Sequence, residues 1–189
     1  MAEPAEKLPT TVDEFLRWVQ GREGRYELYD GHVVAMTPQR AIHARTKHRV
    51  ARTLEDAVEA ARLPCEVYPD GMTVRIDPST AFEPDALLRC GEPLDPDAIT
   101  VEDPLLVVEV VSPSSEGSDT GHKLAGYFRV PSIRHYLIVD PLGRLVIHHQ
   151  RTEGEEIRTR ILTAGTLRLD PPGIEVEIEG FFPKKRREG

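Results

Sequence analysis

One acidic side chain lies inside the most apolar strand that the sequence predicts. The run 105–111 contains a single ionisable residue, Glu109, and both of its alternating faces are otherwise apolar. This composition favours a central strand that is buried on both sides. Because burying an unpaired carboxylate costs several kcal/mol, we expect a metal ion or a cationic partner to compensate the charge of Glu109.

A second carboxylate belongs to a neighbouring predicted strand. Asp85 follows Pro84 at the start of the predicted strand Ala86-Leu87-Leu88, and adjacent strands could bring Asp85 and Glu109 to one point. Mg²⁺ prefers oxygen ligands and is commonly held by one or two carboxylates, while water and phosphate oxygens complete the octahedron. The pair therefore indicates a site for a hard divalent cation. A simpler interpretation of Asp85, as a cap for its own loop, also remains open.

A lysine follows on a short helix that is predicted over about 119–129. Asp119, Lys123 and Tyr127 recur at intervals of four residues, so they share one helix face. From this face Lys123 could reach back over the end of the strand that carries Glu109. It could act beside a metal ion, or it could form a buried ion pair with Glu109 and no metal.

The elements that must position these side chains follow from capping, turn and periodicity patterns. A capping box at Thr11 and Glu14 begins one helix, and the turn Asp30-Gly31 joins the strands of a hairpin. The predicted helices are 12–19, 40–62 and 119–129. The predicted strands are 25–29, 32–37, 65–69, 72–77, 86–89, 105–111 and 135–140, followed by the pairs 144–149 with 157–162 and 166–169 with 174–179. This order favours an α/β fold with a mixed sheet and helices on its faces.

Composition limits the classes of protein. The chain has 189 residues, of which 39% are hydrophobic, enough for one domain with a proper core. Because no apolar stretch could cross a membrane and the N-terminus lacks a signal-peptide segment, we expect a cytoplasmic protein without a membrane partner. The net charge of −8 argues against coating nucleic acid through general electrostatics. A local basic channel stays open, since cations cluster on the predicted second helix: Arg40, Arg45, Lys47, Arg49 and Arg52.

Cysteines and histidines are present, but not in zinc-binding patterns. Cys65 and Cys90 stand alone in the sequence, so we expect both to be reduced residues in or near the core. His148 and His149 are neighbours on a predicted strand and therefore point to opposite faces. They are expected to be structural.

Several segments of the sequence follow one another in an order that is typical of one protein family. They are Pro84-Asp85, then Val108-Glu109-Val110-Val111-Ser112-Pro113-Ser114, then Asp119-x-x-x-Lys123-x-x-x-Tyr127. Together they resemble the Uma-type restriction endonuclease family of the PD-(D/E)XK nuclease superfamily. The helix over 12–19, the Tyr26-Glu27-Leu28-Tyr29-Asp30-Gly31 hairpin, His43 and the run Tyr136-Leu137-Ile138-Val139-Asp140-Pro141 are also similar to this family. The resemblance covers roughly 11–182.

The resemblance implies a restriction endonuclease-like fold, which is a mixed β-sheet flanked by helices with additional β-hairpins. It also implies metal-dependent hydrolysis of phosphodiester bonds in nucleic acid, with DNA as the expected substrate. Asp85 and Glu109, together with the Val110 carbonyl, would hold Mg²⁺, for which Mn²⁺ could substitute. The ion would polarise the scissile phosphate and lower the pKa of the attacking water.

The catalytic lysine departs from the superfamily pattern. The superfamily usually places this lysine two residues after the second acid, where this chain has Val111. The resemblance therefore implies that Lys123 takes the role, orienting the water or stabilising negative charge. Glu27 in the hairpin is a candidate further acid.

The resemblance also suggests partners. His43, Arg45 and Arg49 on the predicted second helix are candidate nucleic-acid contacts. A homodimer is expected, because cutting two strands symmetrically commonly uses two sites related by a two-fold axis. We expect an N-terminal tail over 1–10, a single domain over 11–182 and a basic tail over 183–189. Two alternatives remain: a catalytically inactive nucleic-acid-binding or protein-interaction module on the same fold, and a small-molecule enzyme that uses the carboxylate pair.

Overall fold

The computed structural model describes residues 7–111, 119–154 and 156–184. Most of both predicted tails and the 112–114 part of the family motif lie outside these ranges. Within the described ranges, no helix is both long enough and apolar enough to cross a membrane.

Three α-helices and a short 3-10 helix lie within the described part of the chain. They are α1 (Val12–Val19), α2 (Ala41–Ala61), α3 (Asp119–Tyr127) and the 3-10 helix Ile178–Phe181. The predicted capping box begins α1: the Thr11 hydroxyl accepts from the Glu14 amide, and the Glu14 carboxylate accepts from the Thr11 amide, both at 3.3 Å. The bounds agree with the predicted helices within about two residues, as expected for helix ends.

The strands of the described residues form three sheets. In chain order the strands are β1 (Tyr26–Tyr29), β2 (His32–Ala35), β3 (Cys65–Pro69), β4 (Val74–Asp77), β5 (Thr80–Phe82), β6 (Ala86–Cys90), β7 (Leu106–Val110), β8 (His135–Asp140), β9 (Leu145–Arg151), β10 (Ile157–Leu162), β11 (Thr166–Leu169) and β12 (Ile174–Glu177). A small sheet has the order β2-β1-β5-β4, a large sheet has the order β10-β9-β8-β7-β6-β3, and β11 pairs with β12. All of these were predicted except β5.

Strand β7 is one of the two central strands of the large sheet. It pairs antiparallel with β6 and parallel with β8, and α3 belongs to the crossover that a parallel pair requires. One face of β7 places Leu106 and Val108 in a core cluster with Leu54 of α2. The other face places Val107 in a second cluster with Tyr127 of α3. The strand is therefore buried on both sides, as its composition indicates.

Cys65 and Cys90 form a disulfide, so the expectation that both are reduced was wrong. The two residues are 25 positions apart in the sequence, and no local pattern relates them. They become partners because β3 and β6 pair antiparallel with Cys65 directly opposite Cys90. The disulfide joins the edge strand β3 to the strand that follows Asp85.

Two buried histidines form a directed chain of hydrogen bonds. Arg160 Nη2 lies 3.1 Å from His148 Nδ1, His148 Nε2 lies 2.9 Å from His135 Nδ1, and His135 Nε2 lies 2.8 Å from the Pro171 carbonyl oxygen. Because a guanidinium can only donate, His148 Nδ1 is the acceptor, His148 Nε2 donates to His135 Nδ1, and His135 Nε2 donates to the Pro171 carbonyl. Each ring is therefore neutral and has its proton on Nε2. Burial lowers the pKa of His135 to about 4 and that of His148 to about 3.

This chain of hydrogen bonds through His148 and His135 should make the fold sensitive to acid. An imidazole whose pKa is lowered by folding contributes stability above its unfolded value of 6.5, and the contribution is lost as the pH falls. We expect the contribution of these two histidines to the free energy of unfolding to fall by a few kcal/mol between about pH 6.5 and pH 4. It is measured by urea titration as the difference between the pH profiles of the wild type and His148→Gln, because buried acids titrate over the same range in the opposite direction. A His148→Gln variant should lose less over this range, whereas the variant His32→Gln at an exposed site should follow the wild type. Identical pH profiles for the wild type and His148→Gln would refute the assignment.

Candidate functional site

Two antiparallel strands bring Asp85 to the end of β7. Ala86 lies opposite Val108, and the Asp85 amide donates to the Val108 carbonyl at 2.9 Å. The Asp85 side chain extends one step further, where its Oδ2 accepts from the Val110 amide at 2.6 Å. This hydrogen bond places the Asp85 carboxylate, just before the start of β6, beside Val110, which directly follows Glu109 on β7.

Lys123 contacts one acid from the small sheet and one from the large sheet. Its Nζ lies 2.9 Å from Glu27 Oε1 and 3.0 Å from Glu109 Oε1. The Tyr127 hydroxyl, one turn later on α3, donates to Glu109 Oε1 at 2.6 Å, and the Glu83 amide donates to Glu27 Oε1 at 2.9 Å. Glu27, Glu109, Lys123 and Tyr127 are all buried. The structure therefore brings together Asp85, Glu109, Lys123 and Glu27, the four residues predicted to be catalytic.

A second lysine, which the sequence reasoning assigned only to a basic cluster, pairs with Asp85. Lys47 Nζ contacts Asp85 Oδ1 and also lies 3.1 Å from Asp70 Oδ1. Arg25 Nη2 lies 3.1 Å from Asp70 Oδ1 and 2.6 Å from Glu83 Oε1, so it links these two acids. Lys47 stands three residues before Val50 and seven before Leu54, which places it on the buried stripe of α2. This spacing is the signal that could have identified it.

Burial and like charge disfavour ionisation of both acids. Burial, followed by the charge of Glu109, raises the pKa of Asp85 to about 7, although Lys47 acts in the opposite direction. Burial also raises the pKa of Glu109, where the charge of Lys123 opposes it. The pKa of Tyr127 lies well above its usual value because of burial and the charge of Glu109, so its hydroxyl stays protonated. A cation bound between the two acids would stabilise their ionised forms and would therefore lower both pKa values.

The candidate donors are carboxylate and carbonyl oxygens, the ligands that hard divalent cations prefer. Of the residues that the structure describes, no three or more His, Cys, Asp or Glu side chains are arranged to hold a metal together, whereas structural zinc usually takes four such ligands. Mg²⁺ is satisfied with one or two carboxylates and several waters. The Val108 carbonyl points toward β6, and alternate carbonyls of a strand point to the same side. The Val110 carbonyl therefore faces the same edge as Asp85.

The candidate nucleic-acid contacts lie in three different environments. His43 is buried, and its Nε2 donates to the Val111 carbonyl at 3.0 Å, next to the end of β7. Arg45 is exposed on α2. Arg49 donates from Nε to the Gly180 carbonyl at 2.9 Å, so it fixes the C-terminal 3-10 helix to α2. The structure therefore places His43 against the end of β7 and Arg49 against the C-terminal 3-10 helix.

Comparisons with known proteins agree with the geometry. The family model Uma2, described as "Putative restriction endonuclease", matches residues 12–181. Two uncharacterized proteins of Synechocystis are similar: slr1290 is 24% identical over 90% of both chains, and sll1609 is 27% identical over 75% of this chain and 80% of its own. The crystal structure of a putative nuclease of the DUF820 group from Anabaena variabilis superposes with a TM-score of 0.71 at 15% identity, covering 92% of this chain and 97% of the other. The resemblance of the motifs is thereby confirmed, and the chain belongs to the Uma2 family and has its restriction endonuclease-like α/β fold.

Proposed function

We propose that this protein is an endonuclease that uses a divalent metal, Mg²⁺ in the first place, to hydrolyse phosphodiester bonds in DNA. The observation that carries the proposal is the meeting of Asp85, Glu109 and Lys123 at one end of the large sheet. Membership of a family described as restriction endonucleases supports the same class of reaction. Mn²⁺ is expected to substitute for Mg²⁺ because both prefer oxygen ligands.

The two acids and one carbonyl would hold the ion. Asp85 and Glu109 supply the carboxylates, and the Val110 carbonyl faces the same edge. When bound, the ion supplies Lewis-acid polarisation of the scissile phosphate and lowers the pKa of the attacking water. The remaining positions suit water and phosphate oxygens.

Lys123 supplies the fixed positive charge of the site. Its ammonium contacts Glu27 and Glu109, so these two carboxylates fix its direction. From this position it would orient the attacking water or stabilise the negative charge that develops on the phosphate. Glu27 acts here by holding Lys123, and the Tyr127 hydroxyl holds Glu109.

Arg45 of α2 is the proposed contact to the DNA backbone, whereas His43, which is buried and donates to the Val111 carbonyl, is proposed to hold the end of β7 in place. His43 lies beside the end of β7, and Arg45 faces the solvent on the same helix. Cutting both strands would use a homodimer, with the C-terminal hairpins as the proposed interface.

The test is cleavage of supercoiled plasmid, linear duplex, single-stranded DNA and RNA with Mg²⁺, with Mn²⁺ and with EDTA. We expect cutting that depends on metal and that falls by about a thousandfold in Asp85→Asn, since loss of a metal ligand removes several kcal/mol of transition-state stabilisation. Asp97→Asn, a change of an exposed acid, is the matched control and should cut like the wild type.

One outcome would transfer the assignment to the alternative function. Both acids have lysine partners within the protein. A folded protein that cuts none of the substrates and binds no Mn²⁺ would therefore be a catalytically inactive binding module on the nuclease fold.

A further inference from the structure

Three aromatic rings lie nearly parallel between the core and the surface. The ring centroids of Phe82 and Tyr29 are 6.3 Å apart with an interplanar angle of 17°. Those of Tyr29 and His122 are 5.1 Å apart with an angle of 22°. Phe82 is buried, Tyr29 is 38% exposed and His122 is exposed. The stack therefore begins inside the protein at Phe82, continues through the partly exposed ring of Tyr29, and ends at the surface on the ring of His122.

The inner ring of this stack is rigidly held. Phe82 packs edge-on against the buried ring of Tyr127 at 5.4 Å. A Cβ atom at position 126 would lie only 2.6 Å from Phe82 Cε2, so the glycine at this position lets the ring lie directly against α3. Because Phe82 packs closely against α3 at two consecutive positions, it provides a firm base for the Tyr29 ring.

The outer rings lie beside the candidate catalytic residues. Tyr29 stands two residues after Glu27 on β1, so both side chains lie on the same face of the strand. His122 directly precedes Lys123 on α3, and the Lys123 ammonium lies 5.6 Å from the centre of the Phe82 ring. A substrate whose phosphate reaches the acids would therefore pass close to Tyr29 and His122.

We propose that the outer face of His122, supported from beneath by Tyr29, is a stacking site for an unpaired nucleobase next to the scissile phosphate. The inference rests on the proposed function for its choice of ligand. Exposed aromatic rings bind unpaired bases by stacking, which is worth about 1–3 kcal/mol per base and tolerates different sequences. Bases within a duplex are already stacked on their neighbours and must first be unstacked at a cost. The substrate class that fits this site is nucleic acid with a single-stranded segment at the point of cleavage.

The experiment measures binding without cleavage. A single-stranded oligonucleotide that carries 2-aminopurine is titrated with the full-length protein in EDTA, once as DNA and once as RNA, and a duplex of the same sequence is titrated in parallel. Stacking on an aromatic ring should quench the fluorescence of 2-aminopurine. We expect Tyr29→Ala and His122→Ala each to weaken single-strand binding by about tenfold and to remove the quenching. Tyr29→Phe should retain both.

Controls and outcomes separate this inference from the nuclease assignment. Leu142→Ala removes another exposed apolar side chain, at the turn after β8, and should leave binding unchanged. Unaltered binding and quenching in Tyr29→Ala and His122→Ala would overturn the inference, even if the wild type cuts DNA. An equal loss of duplex and single-strand binding in these variants would also overturn it, because the contribution of the rings to binding would then not require an unpaired base. Quenching that depends on Tyr29 in a protein that never cuts would uphold the stacking site and reject the nuclease.

Discussion

Replacing Lys123 with methionine should abolish cleavage and lower the free energy of unfolding by about 3–5 kcal/mol. The ammonium is buried between Glu27 and Glu109, and methionine retains most of the side-chain volume without the charge. The two carboxylates would then be buried without their shared partner, which is the costly case for a buried ion pair. Urea unfolding at pH 7 and the plasmid cleavage assay measure the two effects.

A second substitution separates charge from packing. The double variant Lys123→Met with Glu109→Gln removes one of the stranded charges, so it should regain much of the lost stability while remaining inactive. Lys7→Met, at an exposed position, controls for the loss of a lysine as such. A Lys123→Met protein with the stability and the activity of the wild type would contradict both the site and its electrostatics.

Replacing Glu109 with glutamine should separate stability from activity. Burial raises the pKa of the Glu109 carboxyl, so a neutral amide at this position should leave the free energy of unfolding unchanged or higher. The amide oxygen can still accept from the Tyr127 hydroxyl, which now donates to Glu109 Oε1. A metal site that loses one of its two carboxylates should lose Mn²⁺ binding, and cleavage should fall by about a thousandfold or more.

Calorimetric titration with Mn²⁺, urea unfolding and the cleavage assay test this separation. Glu59→Gln, an exposed change on α2, serves as the control. A large loss of stability together with unchanged Mn²⁺ binding would show that Glu109 has a structural role and is not a ligand.

The elements that depend on local patterns were predictable. The burial of β7 follows from its own residues, and α1 follows from the reciprocal bonds of Thr11 and Glu14. Strand β5 was missed because it has three residues, too few for an alternation to be visible. It became a strand because β1 and β4 pair with it on either side.

The missed contacts depend on where distant segments meet. The disulfide required the register of β3 against β6, which puts Cys65 opposite Cys90. The partner of Lys47 required the placement of α2 against the start of β6, where Asp85 lies. Glu109 was predicted because a carboxylate is costly in such apolar surroundings, whereas Asp85 and Lys123 were predicted from their positions at a strand end and on a helix face and from the family resemblance. The sequence could not show how their charges are distributed over partners from four different segments.

The contact of Lys123 with two acids also affects how the molecule opens. Glu27 belongs to the small sheet and Glu109 to the large sheet. Any fluctuation that parts the two sheets must separate an ammonium from a carboxylate in a region of low dielectric constant. The N-terminal hairpin therefore cannot unfold cheaply by itself, although it is short and lies at one end of the chain. Hydrogen exchange should find the amides of β1 and β7 in one cooperative unit, so the residues that would perform catalysis also join the two halves of the fold.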